Sequence, residues 1–295
     1  MPVRSDDVPK RRSRPLRAAA ISIVLVVLAA GGAFLFYHHV TVTGSGCEAG
    51  GRQAVGLDTE QAAIAATIAG VADERRLPSG AVTIAYAAAM QESHLHNLHY
   101  GDLDSVGVFQ QRPSEGWGTR HQLSDPVYAT GKFFGALVKV HDYLRIPVYQ
   151  AAQDVQRSAD GSAYRNYQQL AASLSGAFTG GRPHAVWCWY APDSSRSPHI
   201  AAVRQQLMRT FGPLDVRLRG QHQTAVAAAS SDPAAEVRVR HRAAGWVVAS
   251  WLVTHAPTYG ISTVRYAGYQ WSKAAGRQGW TRDHSTSSGS VELRW

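Results

Sequence analysis

Twenty residues without a charge, Ala18 to Tyr37, follow the cationic run KRRSRPLR (Lys10 to Arg17). The segment contains ISIVLVVLAAGGAFLF and is long enough to span a bilayer as one helix. The cations before it predict a cytoplasmic N-terminus. A cleaved signal peptide has a shorter apolar core and a small-residue cleavage site. GSGCEAGG downstream leaves room for cleavage, but the length favours an uncleaved anchor. The remainder of the chain is then expected outside the cytoplasm, on a single-pass membrane protein. The two cysteines, Cys47 and Cys188, fit that compartment. One disulfide would tie the start of the ectodomain to the end of its main domain. Two unpaired thiols are the alternative, because sequence alone does not bring their Cα atoms together.

The net charge of +9 is unevenly spread. Residues 1–17 carry a net +4, residues 57–212 balance 13 cations against 13 anions, and residues 213–295 carry a net +5. A nucleic-acid partner would call for a basic stripe on the main domain, and a neutral centre argues against one. Only Lys10, Lys132, Lys139 and Lys273 are lysine among the 30 basic residues, a bias that GC-rich coding produces.

Val40 to Val55 is rich in Gly and Thr and reads as part of a tether over 38–56. LDTEQAAIAATIAGVADERR then opens with a capping pattern, Asp58 and Gln61, and places Ile64, Ile68 and Val71 at helical spacing. LPSGAVTIAYAAAMQESHL predicts a second, alanine-rich helix ending near Leu95. Residues 97–118 are rich in Gly, Asp and Ser, which suits a turn and a short strand around GVFQ. Helices resume in DPVYATGKFFGALVKV, with Asp125 as N-cap and Pro126 at the first helical position. They continue in IPVYQAAQDVQRS and YRNYQQLAASLSGAF. Residues 213–235 read as a linker, and 236–295 as a small basic α+β module with several exposed-looking aromatics. In that module RAAGWVVASWLVTHAPTYG reads as a helix ended by Gly260, and ISTVRYAGYQW and VELRW read as strands.

The chemistry is concentrated around Glu92. A helix ending in Glu92-Ser93 is followed by a polar loop and then by Gly107-Val108-Phe109-Gln110, with Gln111, Arg112 and Pro113 behind it. This pattern resembles the lysozyme superfamily, and within it the lytic transglycosylases, over roughly residues 57–180. The fold class expected on that resemblance is mostly α: a lysozyme-like (α+β) domain over 57–212, after the transmembrane helix 18–37 and before the C-terminal module. The activity implied is cleavage of the β-1,4 bond between N-acetylmuramic acid and N-acetylglucosamine in peptidoglycan, on the extracytoplasmic side.

Such cleavage requires protonation of the leaving oxygen while an oxocarbenium-like centre develops. The resemblance makes Glu92 the general acid and later the base. An acid beside Ala88 and Ala89 would have a raised pKa and hold its proton near neutral pH. Ser93, Gly107, Gln110, Gln111, Trp117 and Tyr164 are the implied substrate-binding positions: Gly107 for close backbone approach, Gln110 for an acetamido group, Trp117 for stacking on a sugar ring. Tyr164 would lie over the acid. A hydrolase of this superfamily places an Asp two residues before the motif glycine, and Ser105 stands there instead. A transglycosylase needs no second carboxylate, since the C6 hydroxyl of the substrate attacks and leaves a 1,6-anhydro end. Asp102 or Asp104 as a base for water keeps hydrolysis open.

Blander readings stand beside these. Glu92 can be a solvated helix end, and Val108 and Phe109 plain core. His94, His96 and His99 have no helical alignment and no acidic partner fixed among them, so no metal is expected. No cofactor is expected either. Cys188 between Trp187 and Trp189 reads as structural. Trp246, Trp251, Trp271, Trp280 and Trp295 can be the core of the terminal module. The implied partners are glycan strands and the membrane, with anionic wall polymers or other envelope proteins as partners of the basic C-terminal module. A non-catalytic wall-binding protein or an envelope scaffold is the rival class.

Overall fold

The computed structural model describes residues 44–51, 54–157, 161–192, 197, 199–219 and 234–295. The expected membrane helix and residues 38–43, 52 and 53 of the expected tether lie outside the described residues. The chain divides into Met1–Gly44 and Ser45–Trp295, and the fold below is that of the second unit. It is a mixed α+β fold, about half helical, with antiparallel sheets.

Two strands come first, β1 (Gly46–Ala49) and β2 (Val55–Leu57), in a stretch expected to be tether. Helix α1 (Thr59–Glu74) starts at Asp58, whose side chain accepts from the Gln61 N–H while the Gln61 side chain returns a bond to the Asp58 N–H. That is the reciprocal cap the sequence predicts. Helix α2 (Ser79–Ser93) follows directly. Its Ala81, Ala85, Ala87, Ala88 and Ala89 are fully buried, because side chains this small let neighbouring helices close around it on most sides. Tyr86 fixes its register against α1 by donating its hydroxyl to Ala65 O at 2.8 Å.

Beyond the loop 94–119, a short turn α3 (Arg120–Leu123) leads into α4 (Pro126–Leu137), capped by Asp125 with Pro126 at its first position, as expected. Then come α5 (Val148–Gln156), a 3₁₀ segment Gly161–Tyr167 and α6 (Gln168–Phe178). Helices α5, α6 and the 3₁₀ segment all pack on α2. The next strand, β3 (Val186–Trp189), pairs with β1 and sets Cys47 opposite Cys188. The two are joined by a disulfide with Cα atoms 4.0 Å apart. Such a bridge belongs to an oxidising compartment and fits an extracytoplasmic domain.

Helix α7 (Ile200–Phe211) precedes β4 (Val216–Arg219) and β5 (Ala234–Arg238). Strand β4 lies in the stretch expected to be a linker, and β5 begins at its end and runs into the expected terminal module. After them come α8 (Arg242–Thr254), a turn α9 (Ala256–Tyr259), β6 (Thr263–Tyr266), β7 (Tyr269–Ser272), β8 (Thr281–Arg282) and β9 (Ser290–Arg294). Gly260 ends the α9 turn in the left-handed region, as expected. Among the described residues the six strands β4 to β9 form one sheet in the order β4-β5-β9-β6-β7-β8.

This last segment was expected to stand apart, and it does not. Helix α8 lies against α1, and buried residues from 47 to 295 form a single core. Trp271 and Trp280 donate their indole N–H groups to Cys188 O (2.9 Å) and Val186 O (2.7 Å) on β3. Tyr190 donates to Val253 O at 2.7 Å. The aromatics that looked exposed are interior: Trp246, Trp251 and Trp271 are buried. Much of the local positive charge is also used internally. Arg265 is paired with Asp283 and Glu292, and Arg240 with Asp73. Arg277 lies 4.1 Å over the Trp189 ring.

Candidate active site

Glu92 occupies the last turn of α2, and the chain leaves the helix through His94 and Leu95, both left-handed, at φ 52° and 61°. The segment that follows must return to Glu92 for a site to form, and three bonds bring it back. Gly107 N–H donates to Leu98 O at 2.7 Å. Ser93 Oγ donates to Val108 O at 2.7 Å. Gln156 Nε2, from α5, donates to Phe109 O at 2.6 Å. Phe109 and Val108 are fully buried, and Phe109 stacks on Phe133 at 4.5 Å. The stretch 106–111 is a tight turn closed by the bridge Val106–Gln111, and not the short strand expected.

The result is a cleft of about 750 Å³ lined by Glu92, Asp102, Ser105, Gln110, Gln111, Trp117 and Gln156, with Arg112, Glu115 and Arg157 at its sides. A groove of about 700 Å³ elsewhere, along Ile200, Met208 and Leu218, presents no carboxylate. Glu92 is half-buried, and Tyr164 donates its hydroxyl to Glu92 Oε1 at 2.6 Å. Burial raises the Glu92 carboxyl above its ordinary range, while hydrogen bonds from Tyr164 and Gln156 pull it the other way. Desolvation is the larger effect, so the acid keeps its proton to higher pH.

The residues named from sequence separate into two groups. Glu92, Gln110, Gln111, Trp117 and Asp102 share the cleft, and Tyr164 bonds the acid. Ser93 and Gly107 do not face the cleft in the way expected. Ser93 is buried, with its hydroxyl committed to backbone carbonyls at Ala89 and Val108. Gly107 is buried too, and its requirement is local: φ is +81°, and a Cβ there would stand 2.3 Å from Leu123 O. The glycine admits a neighbouring loop and no ligand. Gln110 donates to Gly107 O (3.1 Å) and lies 3.0 Å from the Ser105 hydroxyl, so it braces the turn as well as lining the cleft.

The two aspartates also part company. Asp104 accepts from Arg112 Nε (3.0 Å), Ser114 N–H (2.8 Å) and Ser114 Oγ (2.9 Å). The Ser114 N–H is the leading reason its carboxyl lies below the usual range. It holds the loop together and is spent as a base. Asp102 is exposed in the cleft. Ser105, in place of the hydrolase carboxylate, is buried with its hydroxyl 2.8 Å from Asp102 O.

The three histidines have separate uses. His96 bridges Asp58 at 2.9 Å, His94 meets the Tyr167 ring edge-on at 5.9 Å, and the His99 carbonyl accepts from Arg120. Among the described residues no three His, Cys, Asp or Glu side chains gather as a metal site would require. Sequence reasoning missed Gln156, which touches both the motif turn and the acid. It lies 64 positions beyond Glu92 on an amphipathic helix, and no local pattern marks it. No protein-family model matches the chain, and no curated protein matches it either.

Proposed function

We propose that this chain is a membrane-anchored glycosidase of lysozyme-like fold that cuts the β-1,4 bond of peptidoglycan, as a lytic transglycosylase. The observation that carries the reading is Glu92: a half-buried acid at the end of a buried helix, held by Tyr164 and open to a long polar cleft. The protonated Glu92 carboxyl donates its proton to the glycosidic oxygen as the C1–O4 bond breaks. The resulting carboxylate then takes the proton of the substrate's C6 hydroxyl as that oxygen bonds C1, which leaves Glu92 protonated again. Half-buried Trp117 offers an aromatic face for a pyranose ring. Gln111 and Gln156 add side-chain amides to the polar lining of the cleft.

Asp104's engagement with Arg112 and Ser114, and Ser105 in place of a carboxylate, favour the anhydro product over hydrolysis. Asp102, which lines the cleft, supports the second reading, a muramidase that activates water. Digestion of purified peptidoglycan followed by mass spectrometry of the products decides between them. Anhydro-muramyl ends are expected. Reducing ends would replace the transglycosylase by the muramidase, and intact glycan would remove the enzyme altogether.

Tyr164→Phe tests the environment of the acid. The lost hydrogen bond is one that lowers the Glu92 pKa, so the alkaline limb of the kcat/KM profile should move to higher pH, with a fall in rate of roughly tenfold. A limb that stays put or moves down would mean that Tyr164 does not tune Glu92.

A further inference from the structure

A second groove, of about 410 Å³, continues from the cleft, and Glu115, Trp117 and Arg157 line both. Its other walls bring Arg75, Lys132 and Lys139 against the glycine face of α4 at Gly131 and Gly135. Arg75, at the C-cap of α1, lays its guanidinium on that face. A Cβ on Gly131 would stand 3.2 Å from Nη2, and one on Gly135 would stand 3.9 Å from Nη1. Glycine is the poorest helix former after proline, and here two of them, a turn apart, leave room for the groove and its arginine.

Four cations converge on this groove in a stretch of chain, 57–212, that is neutral as a whole. The single acid among the lining residues, Glu115, already accepts from Arg112 Nη1 at 2.7 Å. Lys132 stands 5.2 Å over the Tyr128 ring, which leaves its charge unneutralised. Among the described residues no carboxylate pairs with Arg75, Lys132, Lys139 or Arg157. Unpaired like charges gathered in a concave site raise the local concentration of anions, and a cluster of this kind is relieved when one binds.

We propose that this groove holds an anionic group, a carboxylate or a phosphate, carried on the polymer whose glycan lies in the cleft. The inference rests on the glycan reading of the cleft and adds what that reading lacks: the enzyme would select strands by their charged substituents. Arg157 and Trp117, common to both spaces, would mark the passage from sugar to substituent. The anion has two sources in cell-wall material: carboxylates of peptide stems and phosphodiesters of attached polymers.

The test uses the full chain in detergent micelles, with Glu92→Gln so that binding is read without cleavage. Solubilised glycan strands bearing stems and phosphodiester polymers are titrated at low salt. Lys132→Gln/Lys139→Gln should weaken binding roughly tenfold, the size of two lost surface ion contacts, and the difference should shrink as salt rises. Arg145→Gln, exposed and outside both the groove and the C-terminal module, should change nothing. Stripping the stems with an amidase, or the phosphodiester polymers with hydrofluoric acid, should abolish the difference in one arm and so name the anion. Equal binding by parent and double variant, or a difference that survives both strippings, overturns the groove. Strands that bind through the groove but stay uncut by the Glu92 chain would overturn the enzyme reading and uphold the groove.

Discussion

On the proposed mechanism, Glu92→Gln should lose activity on peptidoglycan by roughly a thousandfold or more, since it removes the proton donor. The same substitution should make the fold more stable at neutral pH and above. The Glu92 carboxyl is raised by burial, so its charged form is penalised in the folded protein. Folded and unfolded states then differ in proton affinity, and the contribution of Glu92 to stability falls as pH rises through the folded pKa. Glutamine is neutral at every pH and escapes the penalty. Thermal midpoints of variant and parent should converge below the ordinary carboxyl value of 4.5 and diverge, with the variant higher, toward pH 8. Residual cleavage within tenfold of the parent would remove Glu92 as the acid. A variant midpoint lower at pH 8 than at pH 4, relative to the parent, would deny the burial of its charge.

Removing the bridge with Cys47→Ala/Cys188→Ala should give the largest loss of stability. The cysteines are 141 residues apart, and closing a loop of that length in the unfolded chain accounts for roughly 4–5 kcal/mol. For a unit of this size that lowers the thermal midpoint by about 10–15 °C. Both sulfurs are buried between β1 and β3, so the parent should resist reduction until it unfolds. The cleft is built by α2, the motif turn, α5 and the 3₁₀ segment, and none of these carries a bridge residue. Below the lowered midpoint the variant should therefore keep its activity. An unchanged midpoint by calorimetry would make the bridge incidental, and loss of activity in the folded variant would tie the cleft to β1.

The parts of this fold that sequence discloses are those with local causes. Asp58 with Gln61, Asp125 with Pro126, and Gly260 each mark a helix end by their own chemistry, and each stands where expected. The strands that escaped notice have remote causes. Gly46–Ala49 is four residues long, too short for alternation to register, and it becomes a strand because β3 arrives from 141 positions away. Ala234–Arg238 straddles the expected end of the linker and escaped notice as a strand because its pairing is with β4 and β9. At the site, Glu92, Gln110, Gln111 and Trp117 were legible as a motif, and the structure gathers them in one cleft. Ser93 and Gly107 were misread because a motif preserves positions without saying whether they face a ligand or hold the loop that does. Asp104 was left open as a base because its engagement by Ser114 and Arg112 depends on how the loop closes.

Strand β9 has a consequence for how the protein is made. Ser290–Arg294 lies inside its sheet, hydrogen-bonded to β5 on one side and β6 on the other. Until those five residues are available, β4 and β5 have no link to β6, β7 and β8. The sheet therefore closes only after synthesis has passed Arg294. A chain that has not yet supplied them leaves α8 packed on α1 and β3 but without the completed sheet on its β6 and β9 side, so this sheet is finished by one late central strand.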